Sequence, residues 1–365
     1  METRVAAPVI ERLSLHFFRN YRDAFARPGA GFNIVSGANA QGKTNLLEAV
    51  HLVSTGRLIR GTRDAQAVMH GEETGSVSAE LAGSGTTVAV ELRRGVRKRV
   101  LLNGASLPRP SDVLGRIPTV SFSAGDLEIV RGDPSERRHF LDSELSQLYP
   151  GYLRHLAVYK RALEQRNALL KSAQETYQPP DVFEAWEEQL AQHGTEMRRY
   201  RRDWISAIAP LVAAAHADLG AGEEVALRYV ERDAGDLLEN LASGRVDDLR
   251  RGTTGTGPHR DELEIEIGGS EARPFGSQGQ QRTAVIALKL AVLASASGVL
   301  GVPPVLLLDD VFSDLDQGRR SRLVERSLEL GGQVFLTCTE PEQAGVELVG
   351  RSKVFRVVSG TVTEA

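Results

Sequence analysis

The run Gly37-Ala38-Asn39-Ala40-Gln41-Gly42-Lys43-Thr44 has the residue types and spacing of a phosphate-binding loop, G-x-x-x-x-G-K-[ST]. The two glycines let backbone amides close around phosphate oxygens, and the N-terminus of the helix that follows adds a positive dipole end. Lys43 is expected to reach the outer phosphates and assist catalysis, and Thr44 to ligate magnesium. A glycine-rich helix cap would look alike in isolation. The flanks favour the phosphate loop, because FNIV before it reads as a strand and NLLEAVHLV after it as a helix.

A second candidate is the aliphatic run Pro304-Val305-Leu306-Leu307-Leu308, which closes on Asp309 and Asp310. Such a run suits a central parallel strand that delivers acids to the carboxyl edge of its sheet, where ligands bind. Asp309 is expected on the magnesium side, and Asp310 is placed to orient or deprotonate an attacking water. The third is Ser277-Gln278-Gly279-Gln280-Gln281, just ahead of the helix-like RTAVIALKLAVLA. Its hydroxyl and amides could face an anion at a helix N-terminus, with Gly279 permitting close approach. Taken alone, the same residues also make a plain capping turn.

These residues need a scaffold that brings residue 43 to residue 309. Residues 10–35 alternate apolar and polar positions between turn signals, the texture of strands. Residues 86–92 and 98–103 read as a hairpin with Arg93, Arg94 and Arg97 at its tip. After Asp126 the spacing turns helical, with Leu153, Leu156, Tyr159, Leu163 and Leu170 on one face. Pro179 and Pro180 divide two long helices, which predicts an antiparallel helical arm. Past a Gly-, Thr- and Arg-rich stretch at 243–258, strand and helix patterns alternate again. The reading is an α/β head made of 1–124 and 255–365, with a mainly helical arm, 125–254, inserted between its halves.

The chain has 365 residues, ample for two folding units, and its 41% hydrophobic and 25% charged content is ordinary for globular proteins. Its longest apolar stretches are short or broken by Lys289, which predicts no membrane span, and the N-terminus lacks the pattern of a secretory signal. The one cysteine, Cys338, sits in an apolar run and excludes an internal disulfide framework. Together these predict a cytoplasmic protein.

The net charge of -4 hides an uneven distribution. Residues 1–124 hold 16 Lys and Arg against 10 Asp and Glu, whereas 125–254 hold 17 against 23. Arg57, Arg60 and Arg63 follow the phosphate loop's helix, and Arg93, Arg94, Arg97, Lys98 and Arg99 crowd the hairpin. Phosphate backbones would be attracted there; a solvated charged rim is the alternative. With 5% aromatic residues and no zinc-ligand spacing, no base-reading module is visible, so DNA would be bound without sequence specificity. The cluster Arg198, Arg199, Arg201 and Arg202 has acidic neighbours and reads as structural, as does His259. Arg260 is the stronger functional candidate of that loop.

The order of the phosphate loop, SQGQQ, LLLDD and Ser313-Asp314-Leu315-Asp316 resembles the ABC ATPase superfamily of DNA-repair and chromosome-maintenance heads. Within it, FRNYRD, GANAQGKTNLLEAV, LEQRNALLK, GPHRDEL, SQGQQRTAVIALKLA and LLLDDVFSDLD resemble, in order, segments of the RecF family of recombination mediators. The resemblance implies an ABC-type P-loop ATPase fold. It implies that residues 37–44 of one protomer bind ATP while Ser277, Gly279 and Gln280 of another bind its γ-phosphate, with Asp314 and Asp316 at the dimer interface. Thr337, Cys338 and Thr339 would occupy the switch region, where transporter ATPases carry a histidine and this chain has none. Asp310 stands where Glu is usual and is one methylene shorter, which predicts slow hydrolysis, and the resemblance implies that DNA stimulates it. The implied role is a homodimer on single- and double-stranded DNA at gaps or junctions, loading RecA with RecR and RecO. Rival readings are the ATPase subunit of a membrane transporter and a nucleotide-gated clamp without meaningful hydrolysis.

Overall fold

Three aliphatic runs, Phe32–Ser36, Val305–Asp309 and Val334–Cys338, form the middle of a six-stranded sheet and are buried along almost their whole length. Strands covered on both faces need no alternation, which is why these read as continuous apolar runs. The strand order is Thr361–Glu364, Lys353–Val358, Phe32–Ser36, Val334–Cys338, Val305–Asp309, Thr119–Ser123. All neighbours are parallel except the C-terminal hairpin, which adds an antiparallel edge. Both ends of the chain are interleaved here. Parallel register therefore places the ends of Phe32–Ser36, Val305–Asp309 and Val334–Cys338 at one edge, as bringing residue 43 to residue 309 requires.

The computed structural model describes residues 7–59, 63–220, 222–233, 235–312, 315–330 and 332–365. Arg60 and Asp314, both expected site residues, lie outside them. By packing, the chain divides into Met1–Asp126 with Asp218–Gly220 and Lys289–Ala365, and Leu127–Ala217 with Ala221–Leu288. Residues 255–288, read from sequence with the head, pack with the helical unit. The reason is pairing: strand Glu262–Ile267 is antiparallel to Val225–Val230, and Arg137 holds Glu262 in a buried ion pair of 2.8 Å.

The first unit also holds an antiparallel sheet, ordered Tyr21–Ala26, Ile10–Phe18, Thr74–Leu81, Thr87–Arg93, Val96–Leu102, Ala105–Ser106. Helix Lys43–Thr55 is clasped between the two sheets. Leu46, Leu47, Val50, Leu52 and Val53 share one core with Leu13, Val77 and Val90 of the antiparallel sheet and with Val35, Leu307 and Phe335 of the parallel one. Each such side chain contributes about 1.5–3 kcal/mol by its burial. Gly56, left-handed at φ 68°, closes the helix by donating to the Leu52 carbonyl. This clasp fixes Lys43 and Thr44 in space.

In the second unit, helices Pro134–Leu148, Pro150–Ser172 and Pro180–Asp218 make up the helical region, and the break between the two long ones runs from Ala173 to Pro179, with Pro180 opening the third helix. Its interior is ionic as well as apolar. Arg166, fully buried, donates to Glu187 at 2.9 Å, Asp248 at 2.7 Å and Thr254 at 2.9 Å. Arg201 reaches Asp142 at 2.7 Å and the Pro258 carbonyl at 2.7 Å, and Arg198 binds both oxygens of Asp261 at 2.8 Å. Arg198 and Arg201 are thus structural, as expected, although their partners Asp261 and Asp142 lie far away in sequence and are not the acidic neighbours of the cluster. Helix Gln278–Leu300 is long and apolar enough by composition to cross a bilayer, a match the sequence reading did not foresee. Most of it is buried within the protein, as a core helix is.

Candidate nucleotide site

Residues 37–44 link the carboxyl end of strand Phe32–Ser36 to helix Lys43–Thr55. Gly37 has φ 149°, and a Cβ there would lie 2.4 Å from the Val357 carbonyl oxygen, so the loop passes its neighbouring strand more closely than a side chain permits. Gly42, at φ 121°, would meet the Asn20 amide at 2.6 Å. Ala40 is also left-handed, at φ 64°, a conformation that surrounding structure must hold in place.

Three contacts do so. Asn20 Nδ2 donates to the Gln41 carbonyl at 2.8 Å, Tyr21 OH to the Gly42 carbonyl at 2.9 Å, and the Gly360 amide to the Gln41 carbonyl at 3.1 Å. Asn45 Nδ2 in turn donates to Asn20 Oδ1 at 2.8 Å. The Gln41 side chain, expected at the nucleotide, accepts the Ser359 amide at 2.7 Å and so ties the loop to the C-terminal hairpin. Asn20, Tyr21, Asn45 and Ser359 were not foreseen as site residues; the FRNYRD segment was the signal for the first two.

The loop borders a cavity of about 320 Å³, lined by Asn39, Ala40, Gly42, Lys43, Thr44, Asn45, Asp310 and Thr337. Lys43 is 8% exposed, and its Nζ donates to the Gly37 and Ala38 carbonyls at 2.6 and 2.9 Å. An ammonium has three donors, so a third remains for an oxygen in the cavity. Thr44 Oγ1 donates to Asp309 Oδ1 at 2.9 Å, and Thr337 Oγ1 donates to the same oxygen at 2.9 Å. Asp310, left-handed at φ 54°, donates its amide to Thr337 Oγ1 at 2.8 Å. Burial pushes the Cys338 thiol up to about 12, so it stays protonated and is no nucleophile.

Among the described residues no group of three or more His, Cys, Asp or Glu could hold a metal by itself. The Thr44 hydroxyl and Asp309 carboxylate are hard oxygen donors already brought together. That set fits magnesium, which is held by one or two protein oxygens together with phosphate oxygens and water.

In the second unit, Ser277 and Gln280 cap helix Gln278–Leu300 reciprocally. The Ser277 amide donates to Gln280 Oε1 at 2.6 Å, and the Gln280 amide to Ser277 Oγ at 3.3 Å. Gln281 fastens the turn by donating to the Ala272 carbonyl at 2.9 Å while accepting from Arg131 at 2.7 Å. A Cβ built on Gly279 would meet nothing within 4 Å, so the protein's own packing does not require glycine there.

Asp316 accepts the Arg319 amide at 3.0 Å at the start of helix Gln317–Leu330, and that bond holds its carboxyl below the usual carboxylate range. The basic residues divide. Arg94 donates to the carbonyls of Glu72, Val68 and Met69 at 2.7, 3.2 and 3.2 Å, and Lys98 pairs with Asp64 at 2.6 Å. Arg57, Arg63, Arg93, Arg97 and Arg99 are exposed, Arg99 beside Glu91 at 3.3 Å. In the other unit His259 is held neutral, its pKa lowered to about 4 by burial. It therefore donates through Nε2 to the Thr254 carbonyl at 3.0 Å and accepts from Tyr159 OH at 2.6 Å. Arg260 donates to that same Thr254 carbonyl at 2.9 Å.

Comparison with known proteins places this geometry. The family model for the RecF/RecN/SMC N terminal domain matches residues 9–361. The chain is 40% identical over 372 residues to the DNA replication and repair protein RecF of Symbiobacterium thermophilum, covering 97% of each. It is 42% identical over 332 residues to that of Gloeobacter violaceus, covering 86% of this chain and 88% of the relative. A solved structure of the recombination mediator RecF with ATP, from the RecFOR pathway, superposes over 100% of both chains with a TM-score of 0.91 and 29% identity. An Smc head bound to the C-terminal winged-helix domain of ScpA shares the fold, with a TM-score of 0.59 at 15% identity over 98% of this chain and 97% of the other. With a P-loop and an acidic strand end joined across an α/β head of this kind, the chain belongs to the RecF family of the RecF, RecN and SMC group.

Proposed function

We propose that this chain binds ATP with magnesium and that two copies close on the nucleotide. Ser277, Gly279 and Gln280 of one copy would meet the γ-phosphate held by residues 37–44 of the other, with Asp314 and Asp316 near the contact. The nucleotide reading rests on the convergence of the Thr44 and Thr337 hydroxyls on one oxygen of Asp309, beside Lys43. The shared site is supported by the exposed, firmly capped Ser277 turn and by the empty space around Gly279. Sedimentation tests it: ATP should convert monomer to dimer, and Ser277→Arg should weaken that dimer at least ~10-fold by placing a bulky side chain where phosphate must approach. A wild-type chain that stays monomeric with saturating ATP overturns the shared site.

The dimer would act at gaps or junctions in DNA, in the cytoplasm, helping to load RecA with RecR and RecO. The similarity to a mediator of the RecFOR pathway supports this role. Hydrolysis would be slow, with Asp310 aligning water less well than a longer Glu. The shorter acid also favours a second reading, a clamp that binds ATP and DNA without meaningful turnover. DNA release unchanged by Asp310→Asn selects that reading.

Arg57, Arg63, Arg93, Arg97 and Arg99 are the proposed DNA-facing residues, since Arg94 and Lys98 are committed to internal partners. Replacing Arg93 and Arg97 by Glu should weaken duplex binding at least ~10-fold and flatten the log K against log salt plot by about 2, one phosphate contact for each arginine. Arg94→Gln should instead lower stability and leave the salt slope unchanged. An unaltered slope in the double variant places DNA elsewhere.

A further inference from the structure

We propose that Thr337 is the positioning residue that ties the metal-side carboxylate Asp309 to the backbone carrying Asp310, so that both acids are presented to one bound nucleotide. The assignment rests on the ATP reading of the site. Thr337 is the fourth residue of strand Val334–Cys338 and is fully buried, and its strand neighbours Val334, Phe335, Leu336 and Cys338 are all apolar. A hydroxyl in such a place is costly unless its hydrogen bonds are made. Both bonds made by this one go to the end of the acidic strand: the proton to Asp309 Oδ1 at 2.9 Å, and a lone pair to the Asp310 amide at 2.8 Å. Only a hydroxyl can donate and accept in this way; a valine of the same shape does neither.

Each bond has a separate consequence. Asp309 Oδ1 also accepts from Thr44, so the two hydroxyls fix that carboxylate from opposite ends of the chain. Asp310 holds a left-handed backbone at φ 54°, which a non-glycine residue keeps only when its surroundings enforce it. The Thr337 bond is one of those constraints. Removing it frees the peptide ahead of Asp310 to turn and draws the carboxyl away from the cavity it lines. Thr337 thus acts through the two acids and not on the reacting atoms.

The test compares Thr337→Val and Thr337→Ser with the wild-type chain. For Thr337→Val, kcat for ATP should fall on the order of 10–100-fold with KM changed less than about threefold, the cost of misplacing a group by a fraction of an ångström to one ångström. The magnesium concentration for half-maximal binding of a fluorescent ATP analogue should rise several-fold, while binding in excess chelator stays unchanged. Thr337→Ser, which keeps the hydroxyl, should restore both. Valine values within twofold of wild type overturn the proposal. So does serine as impaired as valine with a matching fall in melting temperature, since the residue would then only fill space. If the wild-type chain binds no nucleotide, the ATP reading fails on its own account. The positioning role is then read from amide hydrogen exchange at Asp310, which should be fast in Thr337→Val and slow in wild type and Thr337→Ser.

Discussion

Lys43→Met is expected to lower ATP affinity by roughly 2–5 kcal/mol, the cost of removing one partner of a desolvated charge pair. At 1.4 kcal/mol per tenfold, that is about 30- to several-thousand-fold, and ATP-driven dimers should disappear with it. The reasoning begins from burial: Lys43 is 8% exposed and two of its donors hold the Gly37 and Ala38 carbonyls, so its charge is fixed at the cavity wall. Methionine keeps the length and most of the volume but offers the phosphates no proton and no charge. Calorimetric titration with ATP measures the loss, and a melting scan of the free protein separates it from loosening of the loop. An affinity within fivefold of wild type, in a chain that still folds, removes the phosphate contact from the scheme.

Arg166→Met should be the most destabilising single change in the helical unit, at about 3–5 kcal/mol, because it leaves two buried carboxylates without their shared cation. Glu187 and Asp248 are 1% and 3% exposed, and among the described residues Glu187 alone of the two pairs with a second arginine, Arg245 at 2.6 Å. Against a total stability of about 5–15 kcal/mol this is a large fraction. Urea unfolding followed by helical circular dichroism should show it as a lowered midpoint. Arg199→Ala is the control: Arg199 and its partner Asp203 are exposed and Glu196 is half-buried, and surface pairs of that kind are worth about 0–1 kcal/mol. A loss below 1 kcal/mol for Arg166→Met shows the network to be solvated.

Much of the fold was legible because its signals are local. An aliphatic five-residue run that ends in acids, a strand–loop–helix around Gly37 and Lys43, a hairpin at 86–103 and the proline pair at 179 and 180 each depend on a handful of consecutive residues. The family segments LEQRNALLK and GPHRDEL were equally visible, but their work was not. They supply Arg166, Asn167, His259 and Asp261 to the polar interior of the helical unit, where Asn167 accepts the Thr254 amide at 2.8 Å. The boundary near residue 255 was misplaced for a related reason. Alternating strand and helix patterns say that an α/β texture has resumed, but not which sheet a strand will join.

What the sequence by itself determined is the chemistry on offer: amides and a lysine for phosphates, a threonine and an aspartate for a divalent ion, a second acid beside them, and a capped glycine turn. Residue type and short-range spacing suffice for that. Only the tertiary structure decided which polar groups meet. Thr44 and Asp309 are 265 residues apart, and Thr337 reaches Asp309 because the parallel strands carrying them lie side by side in register. Arg93 and Arg94 are adjacent in sequence, yet one faces water and the other is captured by three carbonyls of a neighbouring segment. A hydrogen bond depends on position to a few tenths of an ångström, and packing over the whole unit sets that position.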